Sequence, residues 1–241
     1  AKANTNVQSN REMEGNCELI STLTINPAID RLLFIDAFSR NNTNRIRRKE
    51  DVLGGKGTHV SLNLSILGMR NRCFGITMGQ TGKAVEAALR ARDHLDVQML
   101  HYEEGESRTN YAIIENDHSC TLVTERGATI STQKCEELLG HMESKMQPGD
   151  SLVLSGDASN TEVPFFYNKV MSRLADKGVR FIVDTSSQNL VEALRQKPFL
   201  VKPNMDELSQ VVGSPVESEA DILGGMDFIE RQGVEIIAVS C

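Results

Sequence analysis

Four short apolar runs in the second half of the chain decide most of what it can fold into. They are Ser151-Leu152-Val153-Leu154, Phe181-Ile182-Val183, Phe199-Leu200-Val201 and Ile236-Ile237-Ala238-Val239. Each is rich in β-branched or other bulky apolar residues and lacks polar alternation, so each reads as a strand covered on both faces. Between them apolar residues recur at helical spacing: Val163, Phe166, Val170 and Leu174, then Ile222, Met226 and Ile229. Gly178 and Gly233 follow these helices where a left-handed C-terminal turn is expected. Strands that alternate with helices need crossover connections, and crossovers make a parallel sheet. The fold class is therefore α/β. An earlier strand, Leu19 to Ile25, is ended by Asn26-Pro27, because proline has no amide with which to continue a ladder.

The stretch from Leu32 to about Thr124 has a different texture. Leu33-Phe34-Ile35, Asn44-Arg45-Ile46-Arg47-Arg48 and Thr109-Asn110-Tyr111-Ala112-Ile113-Ile114 read as strands with one wet face, set around a helical block from Thr58 to Leu67 and from Lys83 to Arg92. Strands that leave a main sheet and return build a small lid, drawn here from about 32–53 and 97–124. Residues 1–17 are polar and read as a tail or linker from something upstream, leaving 18–241 as one domain. The 33 acidic and 26 basic residues give a net charge of −7 with no pooled basic face, which disfavours a nucleic-acid partner. No apolar run approaches the roughly 20 residues that cross a bilayer. Cys17, Cys73, Cys120, Cys135 and Cys241 are scattered without a CxxC pair, against both a zinc site and a disulfide scaffold. They read as small buried hydrophobes of a cytoplasmic, reducing compartment.

Three segments carry chemistry. Gly54-Gly55-Lys56-Gly57 precedes a helix with Val60, Leu64 and Leu67 as its apolar face. Glycines let backbone amides approach a ligand, and the helix start and Lys56 add positive charge, which suits an anionic or polyhydroxylated ligand. The same residues also fit a plain glycine turn with a solvated lysine. Asp30 lies just past the first strand, where ligands of open parallel sheets bind, and a carboxylate there can accept two sugar hydroxyls; a turn aspartate is the alternative. Lys202-Pro203-Asn204-Met205-Asp206-Glu207 follows a strand end and opens a helix. Asn204 and Glu207 fit a capping box, and equally fit a carboxylate and amide that hold hydrated magnesium or nucleotide phosphates, with Asp184 as a second carboxylate.

Asn26-Pro27-Ala28-Ile29-Asp30, the glycine-lysine loop, Arg108-Thr109-Asn110, and Lys202-Pro203-Asn204 followed by Glu207 occur in one order. In that order they resemble the PfkB group of ribokinase-like carbohydrate kinases, nearest the 1-phosphofructokinase and tagatose-6-phosphate kinase branch, from about Leu19 to Cys241. The resemblance implies a three-layer α/β/α sandwich with a mainly parallel central sheet and a small β-sheet lid. It implies ATP and Mg2+ as cofactors and phosphoryl transfer to a hydroxyl of a ketose phosphate of the fructose-1-phosphate, tagatose-6-phosphate or fructose-6-phosphate class. By that likeness Asp30, Gly54 and Gly55 would hold sugar hydroxyls beside Asn110. Lys56 and Arg108 would face the substrate's own phosphate, Lys202 and Asn204 would meet nucleotide phosphates, and Glu207 would organise the metal through water. Lids of this fold often pair two copies, so a homodimer through the lid is the macromolecular partner the likeness suggests.

The chain departs from the pattern at three places. His59 stands where the family has a sugar-binding asparagine. Asp157, in Ser155-Gly156-Asp157-Ala158-Ser159, stands where it has a serine near the substrate phosphate, and like charge there repels a dianion. The family's catalytic base sits in a Gly-Ala-Gly-Asp segment, expected beyond Cys241, so no residue of this sequence is assigned that role. Two alternatives stay open: a kinase of an unphosphorylated sugar or nucleoside, and a catalytically silent sugar-phosphate sensor.

Overall fold

The computed structural model describes residues 18–185 and 187–241. The expected tail, 1–17, lies outside them. In chain order the strands are β1 Ile20–Thr24, β2 Ala28–Phe34, β3 Arg48–Gly54, β4 Asn71–Met78, β5 Leu95–Tyr102, β6 Arg108–Ile114, β7 Cys120–Thr124, β8 Ser151–Ser155, β9 Arg180–Asp184, β10 Leu200–Val201 and β11 Ile236–Ile237. The helices are α1 Lys56–Ile66, α2 Gly79–Arg90, α3 Thr132–Lys145, α4 Phe166–Leu174, α5 Ser187–Leu194, α6 Met205–Val212 and α7 Glu219–Glu230.

Seven strands form a parallel sheet in the order β11-β10-β9-β8-β1-β4-β5. From β1 the chain adds strands toward β5, then returns and adds the rest on the other side. Right-handed crossovers running in opposite directions place their helices on opposite faces. So α2 packs Val85 and Leu89 with Cys73, Val97 and Met99 on one face. On the other face α3 to α7 bury Leu138, Met142, Tyr167, Val170, Leu190, Leu208 and Ile229 against Leu23, Phe74, Ile76, Leu152 and Leu154. The three-layer sandwich expected from the resemblance is present. The remaining strands form a four-stranded mixed sheet, β3-β2-β6-β7, in which β2 runs parallel to β6 and antiparallel to β3.

Several elements differ from the sequence reading. The alternating Asn44-to-Arg48 segment is not a strand; β3 starts at Arg48. Asn44 ties the preceding loop through Ser39, accepting from its amide at 2.8 Å and donating to its carbonyl at 2.9 Å, and this local pairing displaces a ladder. The helical block is interrupted by β4, and the strand at 95–102 joins the large sheet, so the small sheet draws only on β6 and β7 from that region. The apolar face expected for α1 is only partly covered: Val60 and Leu64 are half-buried and Leu67, just past its end, is 74% exposed, whereas Gly57, Thr58 and Ser61 are buried. Helix α1 packs on β1 through small polar residues, with Thr22 and Ser61 sharing a hydrogen bond of 2.7 Å. A Cβ at Gly57 would stand 2.3 Å from Thr24 Oγ1, so only glycine lets the helix start this close to the sheet. Of the cysteines, Cys73 and Cys135 are buried and Cys120 and Cys241 are exposed, all four free. Among the described residues no helix is long and apolar enough to cross a membrane.

Candidate active site

The strand order reverses between β1 and β8, and in open parallel sheets the crevice at such a reversal, beyond the carboxyl ends of the strands, is where ligands bind. A cleft of about 180 Å³ lies there, lined by Thr24, Ile25 and Asn26 from the end of β1, Gly55 and Lys56 from the start of α1, Arg108 from β6, and Ser155, Gly156 and Asp157 from the end of β8. Two backbone positions need glycine: Gly55, the residue before α1, has φ 101°, and Gly156 has φ 92°. The stem of Lys56 lies across Gly156, where an added Cβ would meet Lys56 Cβ at 3.4 Å.

The small sheet contributes a second wall. Arg108 and Asn110 are two residues apart on β6 and so share a face, and Asn110 stands opposite Asp30 in the β2–β6 register. Asn110 donates to Asp30 Oδ1 at 2.7 Å. Gly54 backs the same carboxylate so closely that a Cβ there would stand 2.3 Å from Asp30 Oδ1. Asp30 is thus the third residue of β2, so the turn-aspartate alternative does not hold; the short Asn26-Pro27 link lets the chain re-enter a strand at once.

Electrostatically this end of the cleft is open. Among the described residues no carboxylate comes within ion-pair distance of Lys56 or Arg108. Three buried polar atoms here lack hydrogen-bond partners: Thr24 Oγ1, Arg108 Nε and Asn110 Oδ1. Buried polar groups are nearly always satisfied, so unpaired atoms in and beside this crevice make it the candidate site. Thr24 was not anticipated. Its signal was a polar residue at the last position of an otherwise core-facing strand.

The remaining sequence candidates fall into two sets. Asp184 accepts from Ser155 Oγ at 3.2 Å and pairs with Lys202 Nζ at 3.3 Å, which places both at the β8–β9–β10 rim next to the cleft. Asn204 caps α6, accepting from the Glu207 amide at 2.8 Å, while buried Glu207 accepts from the Asn204 amide at 2.9 Å. The capping-box alternative for this pair is therefore realised. Among the described residues no group of three His, Cys, Asp or Glu side chains is arranged to hold a metal ion. His59 stands apart from the cleft lining: its Nε2 pairs with the Leu53 carbonyl at 2.7 Å and ties α1 to β3. Asp157 lines the cleft, with its carboxylate bound to Ser159.

Burial and two nearby carboxylates, Asp157 and Asp184, raise the pKa of Tyr167, whose hydroxyl donates to the Ser155 carbonyl at 3.1 Å. This neutral bond fixes the turn after β8 from beneath.

Comparison with known proteins agrees with this arrangement. Residues 23–241 match the family model described as pfkB family carbohydrate kinase. A 1-phosphofructokinase of Bacillus subtilis (strain 168) is 30% identical over 222 residues, covering 92% of this chain and 72% of that protein. The fold is shared with phosphofructokinase-2 of Escherichia coli in complex with fructose-6-phosphate, at a TM-score of 0.85, 23% identity and coverage of 93% and 74% of the two chains. It is shared equally with the tetrameric inhibited form of that enzyme, at a TM-score of 0.85 and 23% identity over 93% and 74%. With its fold, its switch-point cleft and a family match running from β1 to the last residue, the chain belongs to the pfkB family of carbohydrate kinases.

Proposed function

We propose that this kinase acts on a phosphorylated ketose of the fructose-1-phosphate, fructose-6-phosphate or tagatose-6-phosphate class. The observation that carries the reading is the pair of cations, Lys56 and Arg108, without carboxylate partners among the described residues, in the same cleft as unsatisfied polar atoms. Lys56 and the positive end of α1 hold the substrate's phosphate from one side and Arg108 from the other. Asp30, oriented by Asn110, accepts two ketose hydroxyls, and Gly54 leaves room for its carboxylate. The chemical step needs positioning and charge neutralisation more than covalent help, and these residues supply the positioning.

The β9–β10 rim fits the nucleotide side. Magnesium commonly takes one or two carboxylates, with waters and phosphate oxygens completing its shell. Glu207 Oε2 is engaged by the Asn204 amide, which orients Oε1 for a hydrated ion, and Lys202, held against Asp184, stands ready for a phosphate. ATP with Mg2+ supplies the transferred phosphoryl group when bound. Lys202, Asn204 and Glu207 would hold and orient it.

The observation favouring a second reading, an unphosphorylated sugar, is Asp157 in the cleft. Calorimetric binding of fructose 6-phosphate, fructose 1-phosphate and tagatose 6-phosphate against fructose and a nucleoside separates the two. The proposed function requires at least one ketose phosphate to bind, with a loss of about 10- to 100-fold in Lys56→Ala from one charge-assisted contact. Tighter binding of the unphosphorylated ligands, unchanged in Lys56→Ala, overturns it.

A homodimer through the small sheet is part of the same proposal. All of β7 is exposed at a sheet edge, with Leu122 at 67% and Val123 at 53%, an apolar strand edge that pairing with a second copy covers.

A further inference from the structure

Of the charged residues that line the cleft, Lys56 and Arg108 are positive and Asp157 is negative. A free carboxylate one residue from Gly156, over which the lysine stem lies, has a flexible ammonium group as its natural partner. Yet among the described residues Asp157 has no ion-pair partner. Ser159 occupies both of its oxygens: the backbone amide donates to Oδ1 at 3.0 Å and the hydroxyl to Oδ2 at 2.6 Å. The carboxylate is folded back along its own loop. Its charge stays in the cleft while its oxygens are kept from Lys56.

We propose that Asp157 and Ser159 act together as the charge-selectivity device of the acceptor end. Asp157 is the specificity-determining residue: its charge lowers the positive potential that Lys56 and Arg108 present and so moderates affinity for a doubly charged phosphate. Ser159 is a positioning residue that keeps the carboxylate from quenching Lys56 outright. This inference rests on the ketose-phosphate reading above and goes beyond it, because it assigns opposite effects to two neighbouring residues.

One unit charge facing a dianion across roughly 7 Å at water-like dielectric shifts binding about five- to tenfold. The test is calorimetry with fructose 6-phosphate and fructose 1-phosphate on the 241-residue chain and on Asp157→Asn, Ser159→Ala and the double variant, at low and high salt. Asp157→Asn is expected to tighten binding about five- to tenfold, with the gain shrinking as salt screens it. Ser159→Ala is expected to weaken binding about threefold, by releasing the carboxylate toward Lys56. The double variant is expected to bind like Asp157→Asn, since Ser159 acts only through Asp157. Equal weakening by Ser159→Ala in both backgrounds means a purely structural loop and overturns the inference. Wild-type binding unaltered by Asp157→Asn overturns it alone. Failure of both phosphates and of tagatose 6-phosphate to bind wild type and Asp157→Asn alike overturns the ketose-phosphate reading, and the inference falls with it.

Discussion

Replacing Gly54 by alanine separates binding from folding at one atom. The three atoms nearest an added Cβ all belong to the Asp30 carboxylate: Oδ1 at 2.3 Å, Cγ at 2.5 Å and Oδ2 at 2.7 Å. These are the far end of a side chain, which can swing aside, so the fold is expected to survive. The swing breaks the 2.7 Å bond from Asn110, whose Oδ1 already has no partner. Losing a hydrogen bond to a charged group costs about 1.5–3 kcal/mol when buried, and less at this half-buried site, so about 1–2 kcal/mol is expected. For a domain of this size that lowers Tm by about 2–8 °C. Binding suffers more. If Asp30 accepts two hydroxyls, displacing it removes two charge-assisted contacts, about 3 kcal/mol or a hundredfold in Kd. Scanning calorimetry and ligand titration on the same sample measure both. A Gly54→Ala protein that binds ketose phosphate within twofold of wild type refutes the role given to Asp30, whatever its Tm.

Gly57→Ala has the opposite character. Its Cβ meets the Leu23 carbonyl oxygen at 2.7 Å as well as Thr24 Oγ1, and a sheet carbonyl does not rotate away, so stability should fall by about 1–3 kcal/mol in denaturant melts, along with binding. His141, edge-on to Phe74 at 5.9 Å, has its pKa lowered by burial and then by Lys145 and Arg72. The unfolded chain therefore takes up a proton more readily, so stability is lost as pH falls through the ordinary histidine value of 6.5 toward the lower folded value. That component should vanish in His141→Gln when melts at pH 7.5 and pH 5.5 are compared. Leu122→Asp on β7 should shift a small-sheet dimer toward monomer in light scattering, and an unchanged mass refutes that interface.

The parallel sheet was legible because Ser151–Leu154 and Phe181–Val183 are covered on both faces and carry no competing polar pattern. β4 was missed because Asn71-Arg72-Cys73-Phe74-Gly75 mixes polar and apolar residues, although tertiary packing buries most of it. Helix α1 misled for the reverse reason. Its leucines are conspicuous in the sequence, but close approach to β1 favours Gly57 and Ser61, and periodicity is blind to small residues. In the cleft, Lys56 and Arg108 were found through their motifs. The bare Thr24 hydroxyl and the Ser159 clamp on Asp157 were not, because they depend on which atoms remain unpaired once the chain is folded. His59 shows the limit of motif position: its ring is committed to a backbone carbonyl.

In the proposed complex, cations from α1 and β6 converge on one phosphate while Asp30 holds the sugar beside it. A crystal structure of the chain with fructose 6-phosphate tests this most directly. The phosphate is expected between Lys56 Nζ and the Arg108 guanidinium, with ketose hydroxyls on the Asp30 carboxylate. A sugar phosphate bound elsewhere, or bound in the cleft with Lys56 and Arg108 both turned to solvent, contradicts it.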